Sequence, residues 1–305
     1  MRNIILSLFF SLCLLMACNG GVDKQQRKHR DLRQEDLSVL RIAVMPTIDC
    51  LPLYVAQERG LFRHKGVDVR LTSFQAQMDQ DTAILKGWTD GIVTDLIRAE
   101  RMQRHDSLAL RYLTATNLSW QMVSNKMARI KTPSQMRDKM MAMSRYSATD
   151  LLADIIMDEA ALDSDQVFKI QVNDLSIRLG MLKNGIMDAM FLPEPQATEA
   201  RLLESPVVMD TRDADLHFGV IAFKEELYGH DFRKEQIKAF TEAYNDACDS
   251  INKYGLKSYR EIIKDRCHTS DAVIDALPKN LQFNHAEPPR DSDIQRARTW
   301  LNKQR

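Results

Sequence analysis

From residue 40 to about residue 204 the chain alternates short apolar runs with amphipathic stretches, and it does so twice in the same order. The first series predicts strands over 40–45, 67–71, 91–94, 108–115 and 121–124. Helices begin at Pro52 and over 79–86 and 95–103. The second predicts strands over 139–143, 167–172 and 189–192, with helices over 147–160, 175–183 and 196–204. Pro at a first helical position and Gly just past a last turn, as at Pro52 and Gly60, are end signals with a backbone cause. Strand-helix alternation of this kind predicts an α/β fold of parallel sheets flanked by helices. From Phe232 onward helical signals dominate.

The two series echo each other in detail. Leu85-Lys86-Gly87-Trp88-Thr89-Asp90 matches Leu182-Lys183-Asn184-Gly185-Ile186-Met187-Asp188: a helix stops at Gly and an Asp opens a strand three residues later. The expected division is lobe one over 39–124 plus 211–305, lobe two over 125–210, and a strand over 218–223 returning to lobe one. Two such lobes leave a cleft between them, and in open α/β sheets ligands sit beyond the carboxyl ends of the strands.

Four loops would converge there: 45–51, 94–95, 144–149 and 193–195. The candidate binding residues are Thr47, Asp49, Asp95, Asn117, Trp120, Arg145, Tyr146, Ser147, Thr149 and Glu194. Helix N-termini after the first and third loops offer free N–H groups to acceptor atoms. Trp120, Tyr146 and Phe191 could wall a flat solute. Asp49, Asp95, Ser147 and Thr149 have an alternative role as helix caps. If the acids face the cleft, an amino-bearing planar solute suits it. If they cap helices, Arg145 and the helix N-termini would hold an anion instead.

The N-terminus carries a separate message. Arg2 precedes an apolar run over 4–16, too short to span about 30 Å of hydrocarbon comfortably, so it reads as a signal peptide. It ends in Leu15-Met16-Ala17-Cys18, which resembles the lipobox of bacterial lipoproteins. That resemblance implies that Cys18 is acylated, for example with palmitate, and becomes the new N-terminus. Residues 19–38 are polar and nearly free of large apolar side chains, so they cannot offset the entropy of ordering. They read as a tether.

Lys plus Arg equal Asp plus Glu at 42 each, so the basic face that a nucleic-acid partner demands is absent from the overall balance. Of the five cysteines, Cys13 and Cys18 belong to the leader. Cys50, Cys248 and Cys267 make an odd number, which argues against a disulfide framework. A Cys248–Cys267 bridge and buried free thiols both remain open. No nucleophile elbow, phosphate-cradling glycine loop or Cys-x-x-Cys is present, and the seven histidines are scattered. The expectation is no catalytic residue, no metal and no cofactor.

Arg41-Ile42-Ala43-Val44, Leu53-Tyr54-Val55-Ala56-Gln57-Glu58-Arg59-Gly60-Leu61-Phe62 and Gly66-Val67-Asp68-Val69 resemble the opening of type 2 periplasmic binding proteins. The branch is that of alkanesulfonate, nitrate and thiamine-pyrimidine-precursor binders. Ile130-Lys131-Thr132-Pro133, Gly185, Asp188-Ala189 and Glu194-Pro195 continue the likeness in order. It implies a two-lobe fold closing on a small solute, with an ABC permease and its ATPase as partners and the body in the periplasm. The third loop departs from the family, with Ser144-Arg145-Tyr146-Ser147 where small residues are usual, so no known ligand carries over. A sensory or partner-docking lipoprotein on the same fold is the second reading, and a lyase on it the third.

Overall fold

The computed structural model describes residues 38–304. The leader, the lipidation of Cys18 and nearly all of the tether lie outside the described residues. From Leu40 the chain packs as one unit. In order, the elements are β1 (Val39–Val44), α1 (Leu51–Glu58), α2 (Leu61–His64), β2 (Asp68–Ser73), α3 (Gln77–Leu85), β3 (Gly91–Asp95), α4 (Leu96–His105) and β4 (Leu110–Ala115). Then come β5 (Gln121–Ser124), β6 (Lys139–Met143), α5 (Ala148–Glu159), β7 (Val167–Gln171), α6 (Leu175–Lys183), β8 (Ala189–Leu192), α7 (Gln196–Leu202) and β9 (Val207–Asp210). The last are β10 (Gly219–Lys224), α8 (Asp231–Tyr254), α9 (Arg260–Cys267), α10 (Asp271–Ala276) and α11 (Asp291–Lys303).

The strands form two five-stranded sheets, ordered β2-β1-β3-β10-β4 and β7-β6-β8-β5-β9. The α/β class and the helical C-terminal region are as the alternation predicts. The sheets are mixed rather than parallel. β1 pairs parallel with β3, and β6 with β7 and β8, but β10 and β5 each run antiparallel to both of their neighbours. These two strands follow the chain's crossings from one sheet to the other, so each enters its sheet in the opposite sense. β5 also corrects the sequence boundary at 124: it belongs to the second sheet, so the crossing lies before Gln121.

The echo between the two series has a structural counterpart. Gly87 and Gly185 both adopt positive φ, +74° and +67°, where a side chain would be strained. The Asp after each does the same job. Asp90 Oδ2 accepts from Arg41 N of β1 at 2.9 Å, and Asp188 Oδ2 accepts from Met140 N of β6 at 2.9 Å. Each carboxylate stands just before the central strand of its sheet, β3 or β8, and ties it to the adjacent parallel strand, β1 or β6.

Helix α8 buries Ile237, Phe240, Tyr244, Ala247 and Ile251, spaced three and four apart so that they share one face. Phe240 stacks on Phe62 and meets Phe223 edge-on, both at 5.3 Å between centroids.

Several contacts among the described residues join the two lobes. At the crossings, Trp120 N donates to Thr211 Oγ1 and Thr211 N to Trp120 O, each at 3.0 Å, so the two connecting segments lie side by side. At the loops, Ile48 N donates to Glu194 O at 2.9 Å, Leu175 N to Gln75 O at 3.2 Å and Gln196 Nε2 to Pro46 O at 3.0 Å. On the outside, α11 lies on α4, where Arg298 Nε and Nη2 donate to Glu100 at 2.9 and 3.0 Å. Its far end reaches α5 of the other lobe: Trp300 Nε1 donates to Asp154 Oδ2 at 2.7 Å. No helix among the described residues is long and apolar enough to cross a membrane.

Candidate functional site

A small cavity of about 10 Å³ lies where the loops meet, room for about one water molecule. Its polar lining is Thr47, Asp49, Gln77, Thr94 and Trp120. Met45, Val93 and Leu118 complete the wall, together with Leu175 from the second lobe. Of the ten sequence candidates it gathers three: Thr47, Asp49 and Trp120.

Asp49 sits in a 3-10 turn (Ile48–Cys50) that leads into α1, and is 5 % exposed. Its Oδ2 accepts from Thr116 Oγ1 at 3.3 Å, while Oδ1 has no hydrogen-bond partner among the described residues. Burial raises its carboxyl above the ordinary carboxylate range, and the hydroxyls of Thr47 and Thr116 nearby oppose this only in part. Thr94 Oγ1 and Trp120 Nε1 are likewise buried and unpartnered. Nearly all buried polar atoms in folded proteins are satisfied. Three exceptions lie among the residues that line this one cavity, which has room for about one water molecule.

The other carboxylates of the sequence reading are engaged by the fold. Asp95 caps α4, with Oδ1 accepting from Arg98 N at 3.0 Å and Oδ2 from Gln77 Nε2 at 2.9 Å. Burial raises its carboxyl too. Glu194 accepts four hydrogen bonds: from Gln121 Nε2 at 3.1 Å and Arg201 Nη1 at 3.0 Å on one oxygen, and from Thr198 N at 2.9 Å and Thr198 Oγ1 at 2.6 Å on the other. It anchors the start of α7.

The third loop is also internal. Ser147 caps α5 through Thr149 N at 3.1 Å and donates to Ser144 O at 2.8 Å. Thr149 Oγ1 accepts from Ser144 N at 2.9 Å. Arg145 is exposed. The Tyr146 ring lies 4.9 Å from the Arg101 guanidinium. Phe191 is fully buried in β8 and does not line the cavity. Asn117 belongs to a separate outer pocket of about 280 Å³, where its Nδ2 donates to Gln282 O at 3.0 Å.

Gln77 and Thr94 are lining residues that the sequence reading did not pick. Thr94 stands one place before Asp95 at a strand end, and strand alternation sends these neighbours to opposite sides. Gln77 opens α3 two residues earlier than the predicted start and carries no distinguishing signal.

A model of the family described as NMT1/THI5 like matches residues 47–288. No curated protein matches. Among solved structures, the periplasmic aliphatic sulphonate binding protein SsuA from Escherichia coli aligns with a TM-score of 0.70 at 15% identity, covering 88% of each chain. The alkanesulfonate-binding protein SsuA from Xanthomonas axonopodis pv. citri, bound to MOPS, gives 0.73 at 13% identity over 87% of this chain and 92% of that one. The periplasmic nitrate-binding protein NrtA from Synechocystis PCC 6803 gives 0.65 at 13% identity over 77% of this chain and 67% of that one. With the family model matched over most of its length and the two-sheet fold of those structures, this chain belongs to the NMT1/THI5-like family and has the type 2 periplasmic binding protein fold.

Proposed function

We propose that this protein is the solute-capturing subunit of an ABC importer, held on a bacterial membrane by acyl chains on Cys18, with its body in the periplasm. Its two lobes close on a small polar or planar solute and present it to a permease driven by an ATPase. The observation that carries this reading is the trio of unpartnered buried polar atoms, Asp49 Oδ1, Thr94 Oγ1 and Trp120 Nε1, on the lining of the interlobe cavity. The cavity holds about one water, so a larger solute enters with the lobes apart. A thiamine-pyrimidine-precursor-like compound and a sulfonate are the two solute classes the family suggests.

Binding rather than catalysis is favoured by the thiols. Cys50, Cys248 and Cys267 are free and buried, and burial pushes each upward, Cys248 to about 12. A thiol that stays protonated is a poor nucleophile. The test is a thermal-shift screen of the purified protein against sulfonates, nitrate and amino-substituted heterocycles. A true solute at a hundredfold over its Kd adds about 2.7 kcal/mol. If a folded preparation shows no shift with any of the three classes, solute capture is rejected in favour of a sensory or docking lipoprotein.

A further inference from the structure

A second hollow, of about 510 Å³, lies on the outer seam between the lobes, and no residue lines both it and the interlobe cavity. Arg101, Arg104 and His105, from the last turns of α4, form its lobe-one wall. Asn302 and Gln304 come from the end of α11, and Tyr146 is the wall of lobe two. Tyr146 belongs to the third loop, whose sequence the interlobe cavity does not use.

No carboxylate lines this hollow among the described residues. The acids around it are spent elsewhere. Asp154 accepts from Lys169 Nζ, Trp300 Nε1 and Gln304 Nε2, and Asp150 from Lys169 Nζ and Tyr146 N. Glu100 accepts from Arg298 and Tyr112. Asp106 stands 3.7 Å from Arg101 Nη1, beyond hydrogen-bond range. The donors, by contrast, are largely unspent. A guanidinium carries five N–H groups. Arg104 commits only Nη1, to Arg298 O at 3.3 Å and Asn302 Oδ1 at 2.8 Å. Arg101 lies 4.9 Å from the Tyr146 ring and makes no hydrogen bond among the described residues. The Tyr146 hydroxyl, the His105 ring and Asn302 Nδ2 donate to nothing else among them.

Two guanidiniums on one hollow without a carboxylate favour an anion. A planar carboxylate occupies one guanidinium fork, whereas a phosphate group turns three or more oxygens toward several donors at once. We propose that this hollow is a second ligand site, for a phosphate group that is either free or carried on a lipid headgroup. Arg101 and Arg104 hold its oxygens, and the Tyr146 hydroxyl, His105 and Asn302 complete the set. The donors belong to both lobes, so the site is whole only while the lobes are together, and a bound phosphate favours that form.

The experiment is titration calorimetry of the full-length protein at pH 7 in low salt, on the wild type, Arg101→Gln, Arg104→Gln and Tyr146→Phe. The probes are inorganic diphosphate, citrate, and dihexanoylphosphatidylglycerol below its micelle concentration. Thermal unfolding of each variant checks folding. The expected result is binding of diphosphate or of the lipid, weakened about tenfold by either arginine substitution and about threefold by Tyr146→Phe. Whichever of the two binds more tightly names the source of the phosphate. Citrate bound as tightly as diphosphate overturns the assignment to phosphate. Affinity equal in the wild type and both arginine variants, or no binding of either phosphate probe by the folded wild type, overturns the site. Loss in the arginine variants with unchanged affinity in Tyr146→Phe overturns its two-lobe character. If Arg104→Gln lowers Tm by loosening α11, Arg101→Gln decides, because Arg101 holds no such contact.

Discussion

Replacing Glu194 with Gln separates a residue that holds the fold from one that faces a solute. The carboxylate is 5 % exposed and accepts four hydrogen bonds. An amide keeps one oxygen and turns the other into an NH2 group. On one side that NH2 meets Thr198 N, which only donates. On the other it meets Arg201, which also only donates. Either orientation sets donor against donor in a buried place, a cost of about 1–3 kcal/mol. The lost attraction to Arg201 adds at most about 1 kcal/mol, since that side chain is 29% exposed and solvent screens it. The sum is about 3 kcal/mol. For a body of this size each kcal/mol moves Tm by about 2–4 °C, so a drop of about 6–12 °C is expected. The assay is thermal unfolding followed by circular dichroism, with solute affinity measured well below the transition. An unchanged Tm together with weakened solute binding would show that Glu194 serves the cleft and refute its structural role.

Three further outcomes are expected. Trp300→Phe removes the hydrogen bond from α11 to Asp154 across the lobes, worth about 1 kcal/mol; small-angle scattering should report a larger radius of gyration, and an unchanged radius would show that α11 does not bridge. Burial raises the Asp49 carboxyl, so the stability its protonation contributes is complete below about pH 4, the unfolded value, and is lost as pH rises through the folded value. Cys50, Tyr54, Tyr244 and Cys267 around it are raised too and stay neutral at pH 7. Asp49→Asn should therefore match the wild type near pH 4 and exceed it in Tm at pH 7; the same difference at both values would refute this. Cys18→Ser should abolish the acyl mass shift and membrane partitioning while leaving the body folded, and unaltered partitioning would rule out the anchor.

Element type was legible where periodicity and punctuation agreed. Gly87 and Gly185 stop helices because positive φ suits glycine, and the Asp three residues on from each was readable as a repeat. β9 was missed: four residues at a sheet edge, with Val207 exposed, give too short a pattern to mark a strand. β5 was found, but sheet membership depends on where the chain crosses, and no local signal marks that crossing.

The site was legible as a set of loops and not as a set of atoms. Asp95 and Ser147 stand at helix starts, where capping was the competing role, and capping is what they do. The engagement of Glu194 was readable in principle: Thr198 and Arg201 follow at four and seven residues, the spacing of one helical face. The isolation of Asp49 was not, because which partners a buried carboxylate finds depends on residues such as Thr116, far off in the chain.

Hydrogen bonds between loops of the two lobes, such as Ile48 N to Glu194 O, Leu175 N to Gln75 O and Gln196 Nε2 to Pro46 O, compete with any solute for the same closing motion. A solute that enters only when the lobes part binds with its intrinsic Kd divided by the parted fraction. If that fraction were about one in a hundred, the apparent Kd would rise about a hundredfold. Affinity is then adjustable from a distance. Because a solute larger than the cavity keeps the lobes from re-forming the Gln196–Pro46 bond around it, a substitution at Gln196 weakens only the solute-free closed form and so tightens solute binding without touching Asp49 or Trp120.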